Sequence, residues 1–108
     1  MMQDRAQVLG VGFDRLTMNQ LIAELDAMLA SDRRGTVAFS NPEFIIEAQA
    51  NAELLNYLNQ CSFNLADGHG VLWAARQLRQ PEIPERITGT DFVPSLCQMC
   101  ASRGYSVY

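Results

Sequence analysis

The chain has 108 residues, of which 48% are hydrophobic and 19% are charged, with 7 Gly and 4 Pro. This composition is typical of a folded globular protein and excludes collagen-like, low-complexity and disordered classes. At this length we expect a single α/β domain over residues 1–108. Twelve acidic residues against eight arginines and no lysine give a net charge of −4. That balance argues against nucleic acid as a partner, because such binding draws mostly on phosphate neutralisation.

The cysteines and the distribution of apolar residues favour a cytoplasmic protein. No apolar run approaches the roughly 20 residues that span a bilayer, and the first residues lack the apolar stretch of a secretory signal. Three cysteines without a disulfide framework indicate a reducing compartment. Cys97 and Cys100 spell C-x-x-C in the middle of a predicted helix, so we expect them, like Cys61, to pack in the core. His69 is the only histidine, and we predict no metal site.

Strand and helix signals alternate along the chain. Strands are predicted over residues 7–16 (as one strand or a small hairpin), 36–40, 62–66 and 105–108. Helices are predicted from Thr17 to a stop at 32–35, from Asn41 through Ala48, and over residues 52–60, 71–78 and about 91–102. Strands that alternate with helices predict an α/β fold, a Rossmann-like parallel sheet flanked by helices.

Local signals support the helix boundaries. Thr17 and Gln20 have the spacing of a capping box, Asn41 and Pro42 suit a helix start, and Gly104 suits a helix end. The apolar faces are predicted at Met18, Leu21, Ile22, Leu25, Met28 and Leu29 in the first helix, at Phe44, Ile45 and Ala48 in the second, and at Trp73 in the fourth.

Three polar turns stand before helices, at residues 40–43, 67–70 and 86–91. In parallel sheets, ligands bind at the carboxyl ends of the strands. The first two turns follow predicted strands, so they fall on the same edge of the sheet, where the third is expected to join them. This edge is the predicted binding site.

Each turn has a structural and a functional interpretation. Asp67, between a strand and flexible glycines, suits a general base but also an ordinary turn that caps a helix. Asn41 can cap its helix and still offer its amide to a sugar or nucleotide. Arg86 can clamp a diphosphate or pair with Glu85, Asp91 or another surface acid.

Taken together, three blocks resemble the WecG/TagA/CpsF family of bacterial glycosyltransferases (glycosyltransferase family 26). The blocks are Ser40-Asn41-Pro42-Glu43, Leu65 through Arg76, and Pro84 through Asp91. The opening Val8-Leu9-Gly10-Val11, with Phe13-Asp14 and Thr17, is also similar to the family's N-terminus. The resemblance covers nearly the whole chain.

The resemblance implies a Rossmann-like fold and an inverting transfer of an N-acetylmannosamine-type sugar from a UDP donor, with no obligatory metal or other cofactor. The acceptor would be a polyprenyl-diphosphate-linked N-acetylglucosamine at the cytoplasmic face of the membrane. The products would serve wall teichoic acid, enterobacterial common antigen or capsule. Asp67 matches the catalytic base, Asn41 a pocket residue and Arg86 the holder of the diphosphate. The same blocks place further substrate-binding residues at Ser40, Gly68, Thr88 and Asp91.

The sequence departs from the family pattern in two places. Many members carry Thr where Phe39 stands, which changes a hydroxyl contact in the pocket. Family enzymes are about twice as long, and the strand at 105–108 matches the start of their next strand, which predicts a domain that continues past Tyr108. The alternative is a native edge strand.

These departures leave other functions open. The missing part would carry further donor contacts and the peripheral membrane contact, and an incomplete sheet edge at Tyr108 would favour a homo-oligomer. A non-catalytic module that binds nucleotide-sugars or a partner chain is the alternative to an enzyme, as is an inactive truncated fragment.

Overall fold

The computed structural model describes residues 5–108, which form four short strands and five helices. The strands are β1 (Ala6–Val8), β2 (Val11–Phe13), β3 (Val37–Ser40) and β4 (Phe63–Ala66). The helices are α1 (Met18–Ala30), α2 (Pro42–Ala50), α3 (Ala52–Gln60), α4 (His69–Gln77) and α5 (Gly89–Arg103). The predicted alternation of strands and helices is therefore confirmed.

The predicted hairpin near the start of the chain is present. β1 and β2 pair antiparallel with Val8 opposite Val11, which leaves a two-residue turn of Leu9 and Gly10. Both turn residues have positive φ, at 50° and 85°, as the tight turns of two-residue hairpins require. The side chain of Leu9 consequently lies outside the core, with 56% of its surface exposed.

A parallel strand pair lies at the centre of the fold. β3 and β4 pair in register from Val37 opposite Phe63 to Ser40 opposite Ala66, and α2 and α3 form the connection between them. Both strands end at the same level, so the loops that follow them start side by side. This arrangement confirms the α/β class with a small parallel sheet flanked by helices.

Successive residues of β3 and β4 face opposite sides of the sheet, as strand geometry dictates. On one side, Ala38 and Ala66 pack into a cluster with the hairpin, α2, α3 and α4. On the other side, Val37, Phe39, Phe63 and Leu65 pack with α1 and α5. The pair is thus covered by helices on both faces.

The helix caps match their sequence signals. Thr17 and Gln20 form the capping box of α1, the Asn41 side chain caps α2 with Pro42 at its start, and Gly104 ends α5 in the left-handed conformation. Cys61 and Cys100 are buried and unpaired, and Cys97 is half-buried. The core placement predicted for Cys61 and Cys100 is therefore confirmed.

Some predicted core positions are wrong. Trp73 is 62% exposed, and Phe44 and Leu29 are about 40% exposed. The inner face of α4 is formed by Val71 and Ala75, four residues apart on the same side of a helix. Trp73 lies midway between them in sequence and therefore points away from the sheet.

The predicted strand over residues 105–108 is not formed. A strand needs a neighbouring strand to accept its backbone hydrogen bonds, and none pairs with this segment among the described residues. The N–H of Tyr105 instead donates to the carbonyl oxygen of Cys100 at 2.8 Å, so the segment begins as a continuation of the turn that ends α5.

Candidate active site

Three polar loops meet where β3 and β4 end. The N–H of Asp67 donates to the carbonyl oxygen of Ser40 at 3.1 Å, which joins the loop after β4 to the end of β3. The N–H of Ile87 donates to the carbonyl oxygen of Ala66 at 2.9 Å, which brings the loop before α5 to the end of β4. The structure therefore brings the three predicted loops to one edge.

Two glycines allow the first two loops to approach closely. Gly68 has a φ of +142°, which side-chain-bearing residues rarely adopt. A methyl group on Gly70 would lie 3.0 Å from Cγ of Pro42, and one on Gly68 would lie 3.5 Å from Cδ of the same ring. The backbone after Asp67 therefore lies against the start of α2.

Asp67 itself is half-buried at this edge. Its backbone is fixed by the bond to Ser40, but its carboxylate makes no hydrogen bond or ion pair with any of residues 5–108. It does not cap α4, because the N-cap of that helix is Gly68, which makes no side-chain capping bond. The helix-capping interpretation of Asp67 is therefore wrong.

Three helices begin at this edge, and their positive dipole ends point toward it. In α2 and α5, a side chain caps the first turn and an acid, Glu43 or Asp91, lies within it. In α4, the first turn has neither a side-chain cap nor an acid. The positive dipole end of α4, directly after Asp67 and Gly68, is therefore the least neutralised of the three. The start of this helix thus favours negative charge.

Asn41 and Thr88 both cap helices. The Oδ1 of Asn41 accepts from the N–H of Phe44 at 3.0 Å, and the Oγ of Thr88 accepts from the N–H of Asp91 at 3.1 Å. These bonds leave the amide nitrogen of Asn41 without a partner in the described part of the chain. The structural role of Asn41 is confirmed, and its half-buried amide remains available to a ligand.

Ser40 is held inside the protein. Its side chain is 1% exposed, and its hydroxyl donates to Oδ1 of Asn64 at 2.7 Å. The hydroxyl therefore fixes the end of β3 to β4. The contribution of Ser40 that faces the edge is its backbone carbonyl, which receives the bond from Asp67.

Asn64 and Asp14 form a buried polar network that the sequence prediction missed. Asn64 donates from its backbone to Oδ2 of Asp14 at 2.7 Å and from its side chain to the carbonyl of Gly12 at 3.0 Å. Asp14 donates back from its N–H to the carbonyl of Asn64 at 2.8 Å. The network fastens the hairpin to β4, two residues before the strand ends. The sequence did contain a signal for this network, because Asp14 and Asn64 are each a polar residue within an apolar run.

Arg5 completes this network at its outer end. Its guanidinium donates to Oδ1 of Asp14 at 3.2 Å and lies 3.1 Å from Oδ2. It also donates to the carbonyl oxygen of Cys61 at 2.9 Å. The buried carboxylate of Asp14 is therefore neutralised by a cation that is itself tied to the segment before β4.

Arg86 is exposed beside the same edge. Its guanidinium makes no hydrogen bond or ion pair within residues 5–108. Glu85, one of the expected acidic partners, instead accepts from the N–H of Met18 at 2.8 Å. Asp91 is exposed in the first turn of α5. The predicted alternative, an ion pair of Arg86 with Glu85, Asp91 or another surface acid, is therefore not formed among residues 5–108.

Phe39, the departure from the expected Thr, packs against α5. Its ring centroid lies 5.0 Å from that of Phe92 in a tilted arrangement, and Gly89 lies beside it. Phe39 therefore helps to place the start of α5, and with it Thr88, at the edge.

Residues 5–108 contain neither a metal-binding cluster nor a helix that could span a membrane. Among them, no group of three or more His, Cys, Asp and Glu side chains is arranged to hold a metal ion. No helix in this range is both long enough and apolar enough to cross a bilayer.

Sequence comparisons identify similar proteins. A family model described as "Glycosyl transferase WecG/TagA/CpsF family" matches residues 6–108. Three relatives from Staphylococcus aureus, of strains NCTC 8325, COL and MSSA476, are each named N-acetylglucosaminyldiphosphoundecaprenol N-acetyl-beta-D-mannosaminyltransferase. Each is 32% identical over 91 residues, which cover 82% of this chain and 35% of the relative. The chain thus matches about a third of the length of these enzymes.

Proposed function

Since the chain belongs to the WecG/TagA/CpsF family of glycosyl transferases, we propose that it acts in the transfer of an N-acetylmannosamine-type sugar. The donor is a UDP-sugar and the acceptor is N-acetylglucosamine on a polyprenyl diphosphate. The named activity of the Staphylococcus aureus relatives supports the sugar and the acceptor. The reaction inverts the anomeric centre and needs no metal, and it takes place at the cytoplasmic face of the membrane.

The observation that carries this proposal is the unpaired carboxylate of Asp67 at the edge where the three loops meet. Asp67 accepts the proton of the acceptor hydroxyl as that oxygen attacks the anomeric carbon of the donor. The new bond joins the acceptor oxygen to the anomeric carbon. The bond between that carbon and the diphosphate breaks, and UDP leaves with the electron pair. Attack from the side opposite the leaving group inverts the centre.

The remaining predicted residues hold the substrates. Arg86 binds the donor diphosphate, because its guanidinium is exposed and has no partner in residues 5–108 and is suited to bidentate phosphate contacts. The start of α4 at Gly68 adds its positive dipole end. Asn41 offers its amide nitrogen to a sugar hydroxyl. Ser40, Thr88 and Asp91 support the pocket, the first two through bonds that fix the loops.

The experiment that tests this function is a transfer assay with UDP-N-acetylmannosamine and a lipid-diphosphate N-acetylglucosamine acceptor. Replacing Asp67 with Asn keeps its size and removes the base, so turnover should fall by about 10²–10⁴. The matched control is Asp32→Asn, an exposed acid that precedes β3 at the opposite end of the strand. Asp32 has a φ of 56°, which Asn tolerates well.

The two outcomes separate enzyme from binding module. Retained turnover in Asp67→Asn would refute the base assignment. UDP binding without turnover in the unaltered chain would favour the alternative of a non-catalytic module that binds nucleotide-sugars.

We also propose self-association through the free edge of β3. Within the described residues, β3 pairs only with β4. A groove of about 450 Å³ lies beside it, lined largely by the apolar residues Leu25, Met28, Val37, Phe92 and Leu96. Unpaired strand edges recruit partners. Light scattering after size-exclusion chromatography should show a dimer, and a monomer at high concentration would contradict this proposal.

A further inference from the structure

The acidic residue next to Arg86 does not neutralise it. Glu85 and Arg86 are neighbours of opposite charge, and Glu85 is half-buried whereas Arg86 is exposed. The guanidinium of Arg86 nevertheless makes no ion pair within residues 5–108. The Oε1 of Glu85 instead accepts a hydrogen bond from the N–H of Met18 at 2.8 Å. The carboxylate closest to Arg86 in sequence is thus engaged by another part of the fold.

The start of α1 is a suitable partner for the Glu85 carboxylate. Met18 is the first residue of α1, so its N–H has no acceptor inside the helix. The capping box satisfies the N–H groups of Thr17 and Gln20 and leaves that of Met18 for another acceptor. The first turn of α1 also contains no acidic residue, although a negative charge is stabilised there by the helix dipole. Glu85 supplies that charge from 67 residues further along the chain.

The loop that carries Arg86 is attached to the fold on both sides of this residue. Glu85, immediately before it, is bound to α1 through its carboxylate. Ile87, immediately after it, is 1% exposed and donates its N–H to the carbonyl oxygen of Ala66 at 2.9 Å. Arg86 is the exposed residue between these two attachments. Its side chain therefore extends from a fixed stretch of backbone at the edge where β4 ends.

We propose that Glu85 is a positioning residue for donor binding and that it acts through Arg86. The inference rests on the proposed function, in which Arg86 binds the diphosphate of the donor. The bond to Met18 fixes the backbone before Arg86 and keeps the Glu85 carboxylate at α1, where it does not compete for the guanidinium. A binding group on ordered backbone loses less conformational entropy when its ligand binds. Glu85 thus increases the affinity for an anion although it is itself negatively charged.

A positioning role and a simple charge effect predict opposite changes in UDP affinity. Removing a negative charge near an anion site strengthens binding if only Coulomb interactions matter. Glu85→Ala should instead weaken UDP binding about three- to tenfold in calorimetry, because it frees the backbone that carries Arg86. Glu85→Gln keeps an oxygen that can accept from Met18 and should restore most of the affinity. The matched control is Glu82→Ala, an exposed acid of the same loop whose side chain makes no hydrogen bond within residues 5–108, and it should bind UDP at least as tightly as the unaltered chain.

The donor of the same hydrogen bond can be removed separately. Met18→Pro eliminates the N–H that Glu85 uses, and proline is well tolerated at the first position of a helix. Thr17, the residue before it, has an extended backbone with a φ of −82° and a ψ of 166°, which suits a residue that precedes proline. Met18→Ala is the matched variant, since it loses the same side chain but keeps the N–H. UDP binding should weaken in Met18→Pro as in Glu85→Ala, and Met18→Ala should bind as the unaltered chain does.

Coupling to Arg86 distinguishes positioning from a general loss of stability. The double variant Glu85→Ala, Arg86→Gln should bind UDP no more weakly than Arg86→Gln alone, because the two residues contribute to one interaction and their effects are not additive. Urea unfolding measures the stability of each variant, and only folded variants are titrated with UDP. A purely structural role of Glu85 would lower the unfolding midpoint of Glu85→Ala and leave the UDP affinity of its folded form unchanged.

Several outcomes would overturn the proposal. These are a UDP affinity of folded Glu85→Ala that equals or exceeds that of the unaltered chain, additive losses in the double variant, or equal affinities of Met18→Pro and Met18→Ala. No UDP binding by the unaltered chain would refute both this inference and the proposed function. Calorimetry does not depend on turnover, so the expected order of UDP affinities without sugar transfer would refute the proposed function and leave this inference standing.

Discussion

Two kinds of polar residue lie around the parallel strand pair, and they differ in whether their polar groups have hydrogen-bond partners. Inside the fold, Ser40, Asn64 and Asp14 are almost fully buried, and each is hydrogen-bonded. Just beyond the strand ends, Asp67 and Arg86 have no partner for their charged groups within the described chain. Burial accounts for the difference, because a buried polar group without a partner is costly, whereas an accessible one keeps its water.

This difference separates residues that hold the fold from residues that can act on a ligand. No buried side-chain nitrogen or oxygen in residues 5–108 lacks a hydrogen-bond partner. Changes inside the network should therefore lower stability, and changes at the edge should alter binding or turnover with little effect on stability.

Removing the central carboxylate of the network should cause the largest loss. Asp14→Ala leaves the N–H of Asn64 without its acceptor and removes the carboxylate that pairs with the guanidinium of Arg5. Breaking a buried ion pair by removing one partner costs about 3–5 kcal/mol. We expect a loss of about 3 kcal/mol in the free energy of unfolding, measured in urea by circular dichroism.

The control for Asp14→Ala is Glu24→Ala, an exposed acid on α1, which should leave the unfolding midpoint nearly unchanged. If both variants unfold at the same urea concentration as the original chain, the network does not hold the hairpin to β4. The buried polar residues would then contribute no more to stability than those at the edge.

The contrast between local and distant signals also explains what the sequence could predict. Caps at Thr17, Asn41 and Gly104 were predictable because their partners lie within a few residues. The convergence of the three loops was predictable from the topology of parallel strands. The bond between Asp14 and Asn64 spans 50 residues, and no local pattern encodes such a pairing.

The wrong predictions have a related cause. The helical spacing around Trp73 does not reveal which face of a nine-residue helix meets the sheet, and the small residues Ala75 and Val71 prove to be the packed ones. Likewise, alternating apolar residues at 105–108 indicate a capacity for strand formation, but a strand also requires a partner that the described residues do not supply.

A smaller loss of stability is expected at Gly68, in the loop that follows Asp67 at the edge. Gly68→Ala places a side chain at a φ of +142° and a ψ of 144°, where non-glycine residues are strained by about 1–3 kcal/mol. Gly70→Ala is the matched variant, since Gly70 has helical geometry within α4. Its new methyl group would be 3.0 Å from Cγ of Pro42, a tight contact that requires Pro42 to move by a few tenths of an ångström.

Urea unfolding of the two glycine variants separates backbone strain from crowding. We expect Gly68→Ala to lower the free energy of unfolding by about 1–2 kcal/mol and Gly70→Ala to change it by less than about 0.5 kcal/mol. Equal losses in both would mean that crowding against Pro42, rather than the conformation of Gly68, fixes the loop after Asp67.

Arg86→Gln should have the smallest effect on stability. It also tests directly whether a residue at the edge binds the ligand. The side chain is exposed and has no partner in the described chain, so the free energy of unfolding should change by less than about 0.5 kcal/mol. If Arg86 binds the donor diphosphate, the loss of charge-assisted hydrogen bonds should weaken UDP binding about tenfold or more. Calorimetry with UDP measures that affinity, with Arg34→Gln as an exposed arginine away from the edge. An unchanged UDP affinity would leave Arg86 without a ligand role, whereas a large loss of stability would mean that the edge, like the interior, is held by its polar groups.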